Sequence, residues 1–172
     1  MLSRGGQEID NQQGVAAMPV VRKKKKSPSS SSPMQARRSK LLYLPMPRAD
    51  ADQLMLMHRT ALEAMRLGHA NEASIRRLAS VVLLTRYLTE VGHGLIQPSV
   101  LDDAESALFD ILNTGNETGV WTVPRPALDT LIRIVNEHDR QLRETRQQVI
   151  VDASDRLDRL IAQNERLQVA AG

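Results

Sequence analysis

Between Asn71 and Gly92 the chain reads NEASIRRLASVVLLTRYLTEVG, and from Leu78 to Leu84 every residue except Ser80 is apolar. A helix that is apolar on all sides must be covered on all sides. This stretch is therefore predicted to be the central helix of a bundle, and the rest of the chain must pack around it. Its length approaches that of a membrane span. Arg76, Arg77, Arg86 and Glu90 interrupt it, however, so it is assigned to a protein core and no membrane is expected as a partner.

Upstream, Leu54, Met57, Ala61, Ala64 and Met65 share one face at helical spacing, widened by Leu62. They predict a first helix from near Asp50 to near Gly68, with Gly68 as its stop. Asn71 is placed to cap the second helix, with Ser74 as its third residue. Glu72 and Arg76 form an acid-first pair one turn apart. Only His69 and Ala70 separate the two helices, which predicts an antiparallel hairpin. A third helix is expected from Ser99, read as its N-cap, with Asp102 and Asp103 near its positive end. Leu101, Ala104, Leu108, Phe109, Ile111 and Leu112 form its apolar face, and Asn113–Gly115 closes it. The segment from Gly115 to Val123 reads as a connection anchored by Trp121.

Pro124 and Pro126 stand where a helix start tolerates proline, and from Ala127 to about Leu167 the chain has neither Pro nor Gly. Acid-first pairs recur at Asp129/Arg133, Asp139/Arg143, Asp152/Arg156 and Asp155/Arg159. A continuous helix over this span would be roughly 60 Å long, about twice the width of an 80-residue body. Leu128, Leu131, Ile132 and Val135 read as core. Asn136–Gln148 then offers only Leu142, and Val149, Ile150, Leu157, Leu160, Ile161, Asn164 and Leu167 resume an apolar seam with heptad spacings. Two readings stand side by side: a projecting coiled coil that makes a homodimer through these seven residues, with Asn164 fixing register, or a helix that breaks near Gln147 and folds back. The expected organisation is all-α: a disordered basic arm over 1–47, a small helical bundle over 48–135, and a long C-terminal helix extension over 136–168.

Charge sharpens that division. Residues 1–48 carry ten Lys or Arg against Glu8 and Asp10, and every Lys lies there; residues 49–172 carry 13 Arg against 18 acids. Arg22, Lys23, Lys24, Lys25 and Lys26, extended by Arg37, Arg38 and Lys40, could track nucleic-acid phosphates with salt-sensitive, sequence-independent affinity. No aromatic residue is interleaved for base stacking. The plainer reading is a solvated tail. The exception in the arm is Leu41–Met46 (LLYLPM), which can dock as an extended strap because Pro45 and Pro47 disfavour helix before them. Gly14–Val21 is short, contains Pro19 and precedes its lysines, the reverse of a secretory signal. Together with the absence of cysteine, this makes a cytoplasmic location the expectation.

Candidate chemistry is sparse. Without cysteine there is no disulfide, thiol nucleophile or Cys-based zinc site. Glu90 and His93 have the Glu-x-x-His spacing of helical di-metal sites, but Gly92 stands between them. His69 and His93 each follow a glycine, where capping of a helix end is the simpler role. No phosphate-binding glycine loop, dinucleotide fingerprint, zinc-protease helix or nucleophile elbow is present. A helix-turn-helix reading fails because Ser99–Asn113 is acidic, while the second helix is too apolar to read DNA. No catalytic residue, metal ligand or cofactor is assigned.

The runs VVLLTRYLTEVGHG (Val81–Gly94), TGNETGVWTV (Thr114–Val123) and EHDRQLRETR (Glu137–Arg146) resemble small all-helical bacterial proteins, some of them labelled Fis-type transcriptional regulators. The resemblance covers about residues 50–160 and implies a bacterial regulatory protein. Fis-type regulators end in a basic helix-turn-helix. This chain ends in QNERLQVAAG, so their DNA-reading residues carry over to no position here. The expectation is a non-enzymatic accessory or regulatory protein touching nucleic acid through its arm. The alternative is an interaction adaptor that assembles through its C-terminal helix, its protein partner unknown.

Overall fold

The structure is a computed structural model that describes residues 40–171. Five helices follow in order: α1 (Arg48–Arg66), α2 (Glu72–Leu88), α3 (Pro98–Thr118), α4 (Arg125–Glu144) and α5 (Gln147–Ala171), with no strand among the described residues. None of these helices is long and apolar enough to cross a membrane. The expected all-α bundle is present, and α2 is its centre, packing against each of the other four helices.

Local signals place the first two helices. Asn71 accepts from the Ser74 N–H at 2.9 Å, and the Ser74 hydroxyl accepts from the Asn71 N–H at 2.9 Å, a reciprocal cap. Gly68 turns the chain after α1, and the His69 backbone N–H, rather than its ring, closes the cap on the Ala64 carbonyl. Glu72 and Arg76 pair at 2.6 Å. Beyond Leu88 the helix loosens into a π turn, Thr89–His93.

The third helix departs from expectation at both ends. It starts at Pro98 with Gln97 as N-cap, not Ser99, and runs to Thr118 instead of closing at Gly115. Gly115 is buried inside the helix because the Trp121 ring lies against it, and a Cβ there would meet the ring at 2.3 Å. The conformational stop is Gly119, at φ 72°, a left-handed turn that favours glycine. Trp121 is thus the expected anchor, seated in a notch cut by Gly115. Phe109, assigned to the apolar core face, is 63% exposed.

The long C-terminal helix does not exist as one piece. α4 stops at Glu144, Thr145 is extended (φ −89°, ψ 144°) and buried, and α5 starts afresh at Gln147. A new helix start exposes backbone N–H groups that need partners. The strap supplies them: Gln147 N–H donates to the Leu44 carbonyl at 2.8 Å and Gln148 N–H to the Leu42 carbonyl at 2.9 Å, while Pro45 bridges Arg146. The strap is not extended throughout, contrary to expectation: its first half closes a helical turn, with the Tyr43 N–H on the Lys40 carbonyl at 3.2 Å and the Leu44 N–H on the Leu41 carbonyl at 3.0 Å, and it docks mainly through its backbone, leaving Leu41, Tyr43 and Leu44 exposed. Thus held, α5 folds back and buries Ile150, Ala153 and Leu157 in the common core. Of the expected pairs on this span, Asp139 and Arg143 meet at 2.7 Å. Asp129 pairs with Arg125 instead of Arg133, and Arg156 leaves Asp152 for Glu90 on the π turn, with its guanidinium 3.8 Å over the Tyr87 ring.

The Gly115 notch gives a direct test. Gly115→Val should lower stability by about 1–3 kcal/mol through overpacking and shift emission from Trp121, the one tryptophan, to longer wavelength. Unchanged denaturation midpoint and emission would contradict the seating.

Candidate interaction groove

The core residues of α2 account for only part of its surface. Ile75, Leu78, Val81, Val82, Thr85 and Leu88 are buried, but Ala79, Ser80 and Leu83 remain half-exposed on a second face. That face is the floor of a groove. One wall is α3, with Leu108, Phe109 and Leu112; the other is α5, with Leu157, Ile161 and Asn164. Along α5, Ile150, Ala153 and Leu157 are buried, and the residues that follow are half-buried or exposed where burial is described. Ile161 is 43% exposed and Leu167 61%. The groove encloses about 1050 Å³. Two turns of helix, a cylinder about 10–12 Å across and about 11 Å long, fill roughly 850–1,200 Å³.

The rim is mostly acidic: Glu105, Asp110 and Glu165 against Arg76. Arg76 is engaged by Glu72. Glu105 and Asp102 both hold Arg86, the latter at 2.6 Å, which clamps α3 to α2. Asp110 and Glu165 make no ion pair among the described residues, and Asp110 is exposed.

A second polar locus lies inside the bundle, between α1 and α4. The rings of His58 and His138 stand 5.5 Å apart at 51°. His138 is buried, and the Nδ1 atoms of both histidines and the Gln141 Oε1 lack a well-formed hydrogen bond. Burial, then the facing His58, pushes His138 down to about 3, against opposing contributions from Gln141 and Asp139. Burial and Arg77 lower His58 as well. Above the pair, Arg59–Asp139 (3.1 Å) and Arg143–Asp52 (2.7 Å) bridge the same two helices. Next to His138 in the chain, burial alone would raise the Glu137 carboxyl, but Arg140 and the Leu95 N–H outweigh it and hold it below the usual range. Arg140 also donates to the His93 carbonyl at 2.7 Å, so this cluster ties the loop after the π turn onto α4. Glu90 and His93 are not brought together as ligands: Glu90 takes Arg156, and His93 serves through its backbone. No group of three or more His, Asp or Glu side chains fit to hold a metal occurs among the described residues.

The residues expected to carry function fall into three sets. Arg22–Lys26, Arg37 and Arg38 lie outside the described residues, and Lys40 is exposed. Of the seam on α5, Ile150 and Leu157 are buried within the chain, and Val149 and Leu160 are half-buried. Ile161, Asn164 and Leu167 stay at the surface, the first two along the groove. The groove floor and the histidine pair were not singled out from sequence. Both left a signal: α2 is apolar on more faces than one bundle contact can use, and His138 continues the Leu131–Val135–Leu142 core spacing. Comparison with family models, curated proteins and solved structures gave no match for this chain.

The histidine pair makes stability pH-dependent with a definite sign. His138 stays neutral in the folded chain down to about pH 3, whereas the unfolded chain takes up a proton below about 6.5. A lowered histidine value means the unfolded state binds more protons as pH falls, so stability drops from about pH 6.5 downward, by up to about 1.4 kcal/mol per pH unit. Glu137 adds its own loss only below the ordinary carboxylate range. Urea denaturation at pH 7 and pH 5 should therefore show wild type losing about 1–2 kcal/mol and His138→Leu losing markedly less. An equal loss in both would remove His138 as the cause.

Proposed function

We propose that this protein is a non-enzymatic accessory protein of regulatory type that acts by binding, with the groove between α2, α3 and α5 receiving an amphipathic helix. One observation carries the reading: the central helix keeps Ala79, Ser80 and Leu83 only partly covered at the bottom of a groove walled by α3 and α5. Helix-in-groove recognition uses anchors spaced three, four and seven apart on such a floor. Small residues in the floor let a helix approach closely, and the acidic rim favours one flanked by arginine or lysine. The interior polar groups support the same view, since Glu137 and Arg140 are engaged in holding the fold.

The arm adds a second, separable activity. Its charge layout supports sequence-independent contact with nucleic acid through Arg22–Lys26, Arg37, Arg38 and Lys40. This fits the bacterial regulatory proteins that the sequence resembles.

Each part has its own test. A 16-residue amphipathic peptide with heptad leucines and arginine flanks, titrated into isotope-labelled protein, should shift resonances of Leu83, Phe109 and Leu112 saturably. Ala79→Arg should abolish those shifts, with circular dichroism showing that the variant is folded. Absence of shifts in wild type would sink the groove reading. For the arm, binding of the full chain to duplex DNA should weaken with salt at a log–log slope of about −7 with all eight cations engaged. Replacing Lys23–Lys26 with serine should remove about half of that slope; unchanged binding would eliminate the arm as the contact.

A further inference from the structure

We infer that the polar locus between α1 and α4 is a binding site for a divalent transition-metal ion of the zinc type, held by His58, His138 and Gln141. The inference is independent of the groove reading.

The first observation is a concentration of unpartnered atoms. Among the described residues, the buried side-chain polar atoms without a hydrogen bond are the Nδ1 of His58, the Nδ1 of His138 and the Oε1 of Gln141. All three belong to one place. His58 faces His138 across the helix contact, and Gln141 follows His138 by one turn of α4. Buried groups of this kind call for an ion or a water to complete them. Burial holds both rings toward the neutral form, which is the form that ligates a metal. A neutral imidazole with its proton on Nε2 offers only a lone pair at Nδ1, and an amide oxygen offers only lone pairs. These three atoms therefore cannot satisfy one another, whereas one cation serves them all.

The second observation is geometry. Two imidazoles that ligate one ion at about 2.0–2.1 Å, at an angle near tetrahedral, have ring centres about 5–5.5 Å apart. The centres of His58 and His138 stand 5.5 Å apart, with the rings inclined by 51°. Gln141 is oriented by its nitrogen. Its Nε2 faces the Thr85 carbonyl, the Thr89 hydroxyl and the His93 carbonyl, each at 3.4 Å, which leaves Oε1 as the free end of the amide. A cleft of about 290 Å³ between α1 and α2, whose lining includes His58, Arg77 and Ser80, gives the ion a way in. Asp139 beside His138 favours a cation there, and Arg77 beside His58 opposes one. Three neutral ligands leave a fourth position for water and make the affinity moderate. The bound ion ties α1 to α4 where Arg59–Asp139 and Arg143–Asp52 already bridge them.

The experiment is a Zn²⁺ titration of the full chain, stripped of metal by a chelator that is then removed, followed through the imidazole ¹⁵N resonances. One Zn²⁺ should bind per chain and move the Nδ1 resonances of both His58 and His138 to the metal-bound range. By calorimetry, His58→Gln and His138→Gln should each weaken binding at least about tenfold, while His69→Gln and His93→Gln leave it unchanged. Circular dichroism checks that each variant is folded, and the resonance assignment in wild type needs no variant. Absence of saturable binding overturns the inference. So does binding that leaves either Nδ1 unmoved, or that is lost with His69 or His93 instead.

Discussion

The structure depends on covering one helix. α2 is apolar on more of its circumference than a surface helix can leave in water, and every other element is placed by that constraint. α1 covers it from the hairpin, α3 through the Arg86 clamp, α4 through the Thr85–Gln141 side, and α5 by folding back over it. Four neighbours still leave Ala79, Ser80 and Leu83 half-exposed. The groove is therefore the remainder of the same packing problem that builds the core. Its proposed occupant would finish the cover.

Backbone hydrogen bonding decides how α5 comes to lie there. A chain without proline or glycine from Ala127 to Ala171 has every intrinsic reason to continue as helix. The break at Thr145 and Arg146 costs helical hydrogen bonds, and the carbonyls of Leu42 and Leu44 offset part of that loss by receiving Gln147 and Gln148. Ile150, Ala153 and Leu157 add their burial against α2. Fold-back thus couples two distant segments: the strap just after the basic arm holds the start of the helix whose far end frames the groove.

Much of the fold was legible in the sequence because the signals were local. The Asn71–Ser74 cap, the glycine stop after α1, the prolines before α4 and the apolar run of α2 all follow from chemistry within a few residues. The misplaced features depended on tertiary partners. Gly115 reads as a helix end until Trp121 is seen lying on it, and Gly119 supplies the stop. The break in the C-terminal helix was one of two readings, near Gln147, and the sequence did not decide between them, since the cap of the new helix comes from carbonyls about a hundred residues upstream. Of the candidate site, the exposed seam on α5 was readable as heptads. The slot beside it was not, because it is made by three helices whose spacing no single stretch encodes.

The account turns on α5 returning to α2 within its own chain. Glu90 and Arg156, which meet on that face, can each be changed to cysteine in a chain that has no native thiol. The pair is then treated with a short bis-maleimide linker at low micromolar concentration. The fold predicts rapid cross-linking that leaves the mass at one chain plus one linker. Linkage found only between chains, or none at all in folded protein, would mean that α5 does not fold back to α2 within its own chain.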